Sequence, residues 1–208
     1  MDRSAQLVTY IESLPNFHLV TPTLDNHMGA IIIDAVLQAG IRYQTVKKRV
    51  CELKENYPDS NTTSGFAAVI ARIGTANLLR WRNGRKTTTV EKLTELFLNR
   101  NIDTADELRA WLRDDDIGSS EILQKVHGIG PKTADYLKIL VGLQKVAIDS
   151  RLMHFLKDAK VSHSGYDDAA LVIAQAAVLM NVDLSVLDHS IWGYRSIPGS
   201  SCAIAPAG

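Results

Sequence analysis

The sequence predicts an all-α fold, and three observations carry that prediction. Apolar residues recur at three- and four-residue spacing along most of the chain. No segment sustains the strict alternation of a half-buried strand, and Gly, Pro, Asn and Thr fall where helices must begin or end. About ten or eleven short helices with short connections follow, without an internal repeat, so neither a coiled coil nor a solenoid is expected.

In order, a first helix over about Arg3 to Ser13 is stopped by Pro15, and a long apolar helix runs from about Leu24 into Leu37, ending near Gly40. Its run "GAIIIDAVL" resembles a buried strand, but its length and helical flanks favour a helix. A third helix spans about Tyr43 to Glu55 and stops before Pro58. "NTTS" offers caps for a helix around Gly65 to Arg72, "GTANLLRW" forms a short one, and a loop at Asn83-Gly84 follows. In "TTTVEKLTELFLNR", Val90, Leu93, Phe97 and Leu98 make an apolar stripe. Thr104 and Glu107 form a capping box opening "ADELRAWLRD", and Ser119 or Ser120 caps the next helix. Later helices are expected at about Ser150 to Lys157, Asp167 to Met180 and Leu184 to Tyr194. The tail "SIPGSSCAIAPAG" has the composition of a loosely ordered terminus that Ile197 and Ile204 could dock.

Bulk properties exclude several classes. No apolar run approaches the roughly 18 residues of a membrane span, and the start "MDRSAQLVTYIESL" is neither a signal peptide nor a basic targeting segment. The expected location is therefore cytoplasmic and nucleoid-associated, with no membrane partner and a monomeric state. Cys51 and Cys202 are distant and lack C-x-x-C spacing, which excludes a zinc ribbon, a four-cysteine cluster and a disulfide scaffold. The six histidines show no metal-binding spacing, so no metal site is expected. Net charge is zero, yet Arg72, Arg80, Arg82, Arg85 and Lys86 follow one another without an acid, and Lys47 to Arg49 forms a second basic cluster. Either a nucleic-acid-binding face or ordinary solvated helices produces that distribution.

The most informative stretch is "LQKVHGIGPKTADYLKILVG", Leu123 to Gly142. Leu123 and Val126 share one helix face; Ala134, Leu137 and Val141 repeat the pattern on the next. Gly128-Ile129-Gly130 makes the sharp turn between them, glycine supplying positive φ, Ile129 plugging the gap and Pro131 opening the second helix. Such a helix–hairpin–helix presents backbone N–H groups at a helix N-terminus, a site for a DNA phosphate that reads no base. A purely structural hairpin is the alternative for Gly-x-Gly alone.

Phosphate binding does not require Lys132. In the first turn, against the helix dipole and partly buried, its amine is disposed to lose its proton and become a nucleophile. A phosphate-contacting ammonium is the alternative. In "VAIDSRLMHFL", Asp149 follows three apolar residues and opens an amphipathic helix with Leu152, Phe155 and Leu156 inward. It reads either as a simple N-cap or as a carboxylate that relays a proton or stabilises a cation opposite Lys132.

Together "VHGIGPKTAD" and "VAIDSRL", with 17 positions from Lys132 to Asp149, resemble the helix–hairpin–helix base-excision DNA glycosylase superfamily, which includes endonuclease III, adenine glycosylases and 8-oxoguanine glycosylases. The resemblance implies a two-lobed helical DNA-glycosylase fold. One lobe would span 26–141 and contain the hairpin at about 119–141; the second would comprise 1–25 plus 142–198, with an interlobe cleft between them and a loose tail over 199–208. It implies double-stranded DNA with a damaged or mismatched base as substrate, base flipping and N-glycosidic cleavage. Lys132 matches the lysine by which bifunctional members attack C1′ and nick the strand by β-elimination; Asp149 matches the aspartate that supports the sugar cation or activates the nucleophile. Monofunctional cleavage, or DNA binding without chemistry, are the alternatives.

By the same resemblance His127, Gly128, Ile129, Gly130 and Thr133 bind the DNA backbone, and some relatives hold a monovalent cation at the hairpin carbonyls; no other cofactor is expected. Departures are specific. The four-cysteine cluster of the endonuclease III branch is missing. Arg151 and His154 stand where several relatives have Asp-x-His and a following Arg, so Arg151 inherits the phosphate contact. Gly40, two positions after Gln38, aligns with the glutamine that fills the duplex gap in some relatives, leaving Arg42 and Tyr43 as wedge candidates. Tyr136, one turn beyond Lys132, either stacks on the flipped base or packs in the core. His189 beside Asp188 is expected to be structural, and Trp81 to be buried rather than to face nucleic acid.

Overall fold

The structure is a computed structural model that describes residues 2–81 and 84–196. Among the described residues it is all-helical, with twelve α-helices, one 3₁₀ segment at Pro58–Asn61 and no strand. The chain divides into two compact units, Thr23–Ala147 and Met1–Pro22 with Ile148–Gly208.

The Thr23–Ala147 unit is built around α2 (Met28–Leu37), in which every residue except Asp34 is buried. A helix apolar on all sides is stable only when surrounded. Here α3 (Tyr43–Asn56), α4 (Thr63–Ile73), α6 (Gly84–Asn99) and α9 (Pro131–Leu140) pack against it. Between them lie α5 (Thr75–Leu79), α7 (Ala105–Asp114) and α8 (Asp116–Gln124). Phe66, Phe97, Leu93, Leu108, Leu123 and Leu137 are fully enclosed in this core. Each such side chain contributes about 1.5–3 kcal/mol of transfer free energy.

Several expected boundaries need correction. Helix α2 starts at Met28 rather than near Leu24, because His27 is its N-cap and accepts the Ala30 N–H through Nδ1 at 3.2 Å. Asp25 holds the approach in place, its carboxylate accepting the His27 N–H at 3.0 Å. Helix α6 begins at Gly84, earlier than expected, and Asn83 lies outside the described residues. Leu98 falls off the apolar stripe at 39% exposed, whereas Val90, Leu93 and Phe97 are buried. Neither Ser119 nor Ser120 caps α8; Asp115 does, accepting the Gly118 N–H at 3.0 Å, and both serines lie inside the helix. The capping box of α7 is present in both directions between Thr104 and Glu107.

The second unit contains α1 (Arg3–Ser13), α10 (Ser150–Asp158), α11 (Tyr166–Met180) and α12 (Leu184–Ser196). Helix α1 packs on α11, and α12 packs on both α10 and α11. Phe155 is enclosed by Tyr10, Phe17 and Tyr194, with ring centroids 5.3, 6.2 and 6.2 Å away. Arg3 ties α1 to α11 through a two-pronged pair with Asp168 at 2.7 and 2.9 Å. Ile197, Ile204, Cys202 and the rest of the expected tail lie outside the described residues. No single helix among the described residues is long and apolar enough to cross a membrane.

Candidate functional site

Helices α8 and α9 form a helical hairpin whose turn runs through Lys125 to Gly130. Its two glycines do different work. Gly128 adopts φ +94°, and an added Cβ would lie 2.6 Å from Thr89 Oγ1. That hydroxyl donates to the His127 carbonyl at 2.9 Å, so α6 pins the turn from outside. Gly130 is instead extended (φ −106°, ψ −178°), serves as the N-cap of α9, and has open space where a Cβ would stand. The expectation that both glycines supply positive φ therefore holds only for Gly128.

Ile129 is buried as expected, but its N–H donates to the Val126 carbonyl at 3.0 Å and is not offered to a ligand. The Gly130 carbonyl accepts the Thr133 and Ala134 N–H groups at 3.0 Å, the ordinary opening of a helix after Pro131 at N1. A monovalent cation at this turn would have to share the Val126, His127 and Gly130 carbonyls with protein donors. His127 is exposed at the turn and Thr133 is buried beneath it.

An ammonium joins the two helices of the hairpin. Lys138 Nζ, on a side chain only 1% exposed, donates to Asp116 Oδ1 at 2.5 Å, the Asp116 carbonyl at 2.9 Å and Ser120 Oγ at 2.6 Å. Lys145 takes the other carboxylate oxygen at 2.7 Å. Desolvation alone would raise the Asp116 pKa, but the hydrogen bonds from Lys138 and Lys145 outweigh it and hold the carboxyl below its ordinary range.

Lys132 occupies the first turn of α9, and its Nζ lies 4.7 Å from the centroid of the Tyr136 ring, a cation–π contact one turn apart. The Tyr136 hydroxyl donates to Asp34 Oδ1 at 3.2 Å and accepts from Gln38 Nε2 at 3.4 Å. Tyr136 is thus neither a plain core ring nor a free stacking surface. Desolvation pushes the Asp34 carboxyl up to about 6, against the hydrogen bonds from Gln38 and Tyr136 and the charge of Lys132. Desolvation, reinforced by Asp34, pushes the Tyr136 phenol well above its ordinary range. Nearby, Lys86 Nζ donates to the Val36 and Ala39 carbonyls at 2.5 and 2.6 Å, closing the C-terminal end of α2. Burial, and then the Lys132 charge, lower the Lys86 pKa.

Asp34 was not among the residues marked by sequence, Lys86 entered only as a member of the basic cluster from Arg72 to Lys86, and Gln38 only as a neighbour of the wedge position. One signal was available: a single acid inside the run "GAIIIDAVL". A carboxylate on an enclosed helix needs partners.

Asp149 belongs to the other unit, so the two residues paired by their motifs sit in separate compact bodies. It is the N-cap of α10: Oδ1 accepts the Arg151 and Leu152 N–H groups at 2.8 and 3.1 Å, and Oδ2 accepts from Arg151 Nη1 at 3.2 Å. The Arg151 guanidinium also lies 5.1 Å from the centroid of Trp192. His189 stacks on that same indole at 6.0 Å, and desolvation lowers its pKa, in keeping with a structural role.

Of the wedge candidates, Arg42 is exposed as the N-cap of α3, and Tyr43 stands near enough to Tyr136 to perturb it. The basic clusters are partly neutralised: Glu52 forms ion pairs with Arg49 at 3.7 Å, Lys48 at 3.9 Å and Arg80 at 3.6 Å, while Asp59 pairs with Arg72 at 3.4 Å. Arg82 lies outside the described residues. Trp81 packs against the core of its unit. Among the described residues no group of three or more His, Cys, Asp or Glu side chains is placed to hold a metal ion.

No curated protein and no solved structure matches this chain. A family model does match, over residues 6–196, and the chain belongs to that family, described as a domain of unknown function (DUF8548).

Proposed function

We propose that the chain is a bifunctional DNA glycosylase with abasic-site lyase activity, of the two-lobed helix–hairpin–helix kind. The observation that carries this is the placement of Lys132. It stands in the first turn of α9, immediately after a turn held at positive φ by Gly128, and its amine lies on the Tyr136 ring. The string "VHGIGPKTAD" and the later "VAIDSRL" add the motif support.

In the proposed reaction the neutral Lys132 amine attacks C1′ of the flipped nucleotide and the base departs with its bonding electrons, taking up a proton. Ring opening leaves an iminium between Lys132 and C1′. Loss of a C2′ proton then breaks the C3′–O bond, and water hydrolyses the imine to restore the amine. Asp149 would support the cationic sugar.

Borohydride reduction of the protein with duplex DNA carrying an abasic site is expected to leave a covalent adduct that Lys132→Gln abolishes. No adduct with the intact chain would exclude the lyase. One observation favours a second function, a DNA-binding module without chemistry: the Asp149 carboxylate is already engaged as a helix cap and by Arg151. Unchanged base-release rates for Asp149→Asn across a lesion panel would select that module. Base release without nicking would select a monofunctional glycosylase.

A further inference from the structure

Asp34 has no part in the chemistry above, yet it is the one residue of α2 that is not buried and apolar or glycine. Leucine at 34 and phenylalanine at 136 would fill the same space without desolvating a carboxylate. Instead the two polar groups are joined, with the phenol donating to Asp34 and Gln38 donating to the phenol. The ring turns its face to Lys132, so one phenol touches a carboxylate at its oxygen and an ammonium at its π cloud. A phenol that donates to an anion gains electron density, which strengthens its hold on a cation.

We propose that Asp34 and Tyr136 form a holding site for the Lys132 ammonium: the ionised carboxylate polarises the phenol, the ring face keeps the cation, and neutralising Asp34 releases the amine. Asp34 is then a positioning residue acting through Tyr136, and Gln38 fixes the phenol between them. The charges around the site are consistent with this. Lys132 favours the ionised form of Asp34, and Asp25, on the segment entering α2, disfavours it. Tyr43 at the start of α3 acts on Tyr136, and Lys86 of α6 repels Lys132 while bound to the carbonyls of α2. With Asp34 pushed up to about 6, the site changes state in mildly acidic solution.

The consequence for catalysis rests on Lys132 being the reactive amine, but the holding site itself is tested without DNA. The full chain is labelled with [ε-¹³C]lysine, the Lys132 signal is assigned by its loss in Lys132→Gln, and its shift is followed against pH. Asp34→Asn is expected to move the Lys132 midpoint down by about one unit, the scale of a nearby charge at protein-surface screening. Tyr136→Phe is expected to move it by less, Asp34→Glu to restore it, and the parent to show a small inflection near pH 6. An unmoved midpoint in Asp34→Asn, or in Tyr136→Phe where the first variant fails to fold, overturns the holding site, as does a parent curve without the inflection. The expected midpoint shifts and inflection with no borohydride adduct would remove the lyase and leave the holding site standing; an adduct without those shifts would do the opposite.

Discussion

Lys138 Nζ meets Asp116 Oδ1 at 2.5 Å, an ion pair that joins the second helix of the hairpin to the first. The ammonium is fully enclosed and has two further acceptors, the Asp116 carbonyl and Ser120 Oγ, both on α8. A bond set of this kind sets the angle at which α9, and with it Lys132, leaves the turn.

Removing the anion leaves that ammonium buried without its counter-charge, whereas replacing the lysine removes the charge itself. Asp116→Ala is therefore expected to destabilise the fold by about 2–4 kcal/mol, and Lys138→Met, similar in volume, by distinctly less. Urea unfolding of the two variants measures both. Equal losses would mean that the pair contributes through packing alone.

The two glycines of the turn separate folding from binding. Gly128→Ala places a Cβ at 2.6 Å from Thr89 Oγ1 at positive φ and is expected to cost about 2–3 kcal/mol. Gly130→Ala meets open space in an extended backbone and is expected to change stability by no more than about 0.5 kcal/mol. If the turn approaches a DNA backbone, Gly130→Ala still weakens duplex binding, because its methyl occupies the space a phosphate would need. Unfolding curves and a binding isotherm on the same two preparations check this; unaltered affinity in Gly130→Ala would remove the turn from the binding surface.

Asp34 makes stability depend on pH with an unusual sign. Its folded pKa of about 6 lies above the ordinary 3.8, so the folded chain binds this proton more tightly than the unfolded chain. Its contribution is complete below the ordinary value and is lost as pH rises through about 6. Asp34→Asn keeps an acceptor for Tyr136 and removes the cost of ionisation. It is expected to stabilise the protein by roughly 1–3 kcal/mol at pH 7.5 and to leave stability nearly unchanged at pH 4. Urea midpoints at the two pH values decide it, and a destabilised Asp34→Asn at pH 7.5 would show that the charge is required by the fold.

Much of the helical content was legible because it is written in local chemistry. The Thr104 capping box, Pro131 at the start of α9 and Asp149 at the start of α10 each act within four residues of their own position, and each stands where the pattern placed it. Expectations failed where the decisive partner was distant or the competing cap was close. Asp115 took the cap of α8 from the serines, and His27 shortened α2 through a ring nitrogen that propensity does not anticipate. The Ile129 N–H, expected to face a ligand, is used by the turn itself.

The sequence by itself determined that the chain is helical, that a glycine turn separates two helices, and that a lysine and a capping aspartate follow it at fixed spacing. Tertiary structure alone decided the surroundings of that lysine. Asp34 and Tyr136 are 102 positions apart and Lys86 and Val36 are 50 apart, so no local periodicity connects them. They meet because α2 is apolar on all sides and must be wrapped by α6 and α9, and an acid on such a helix takes its partners from whichever helix covers it.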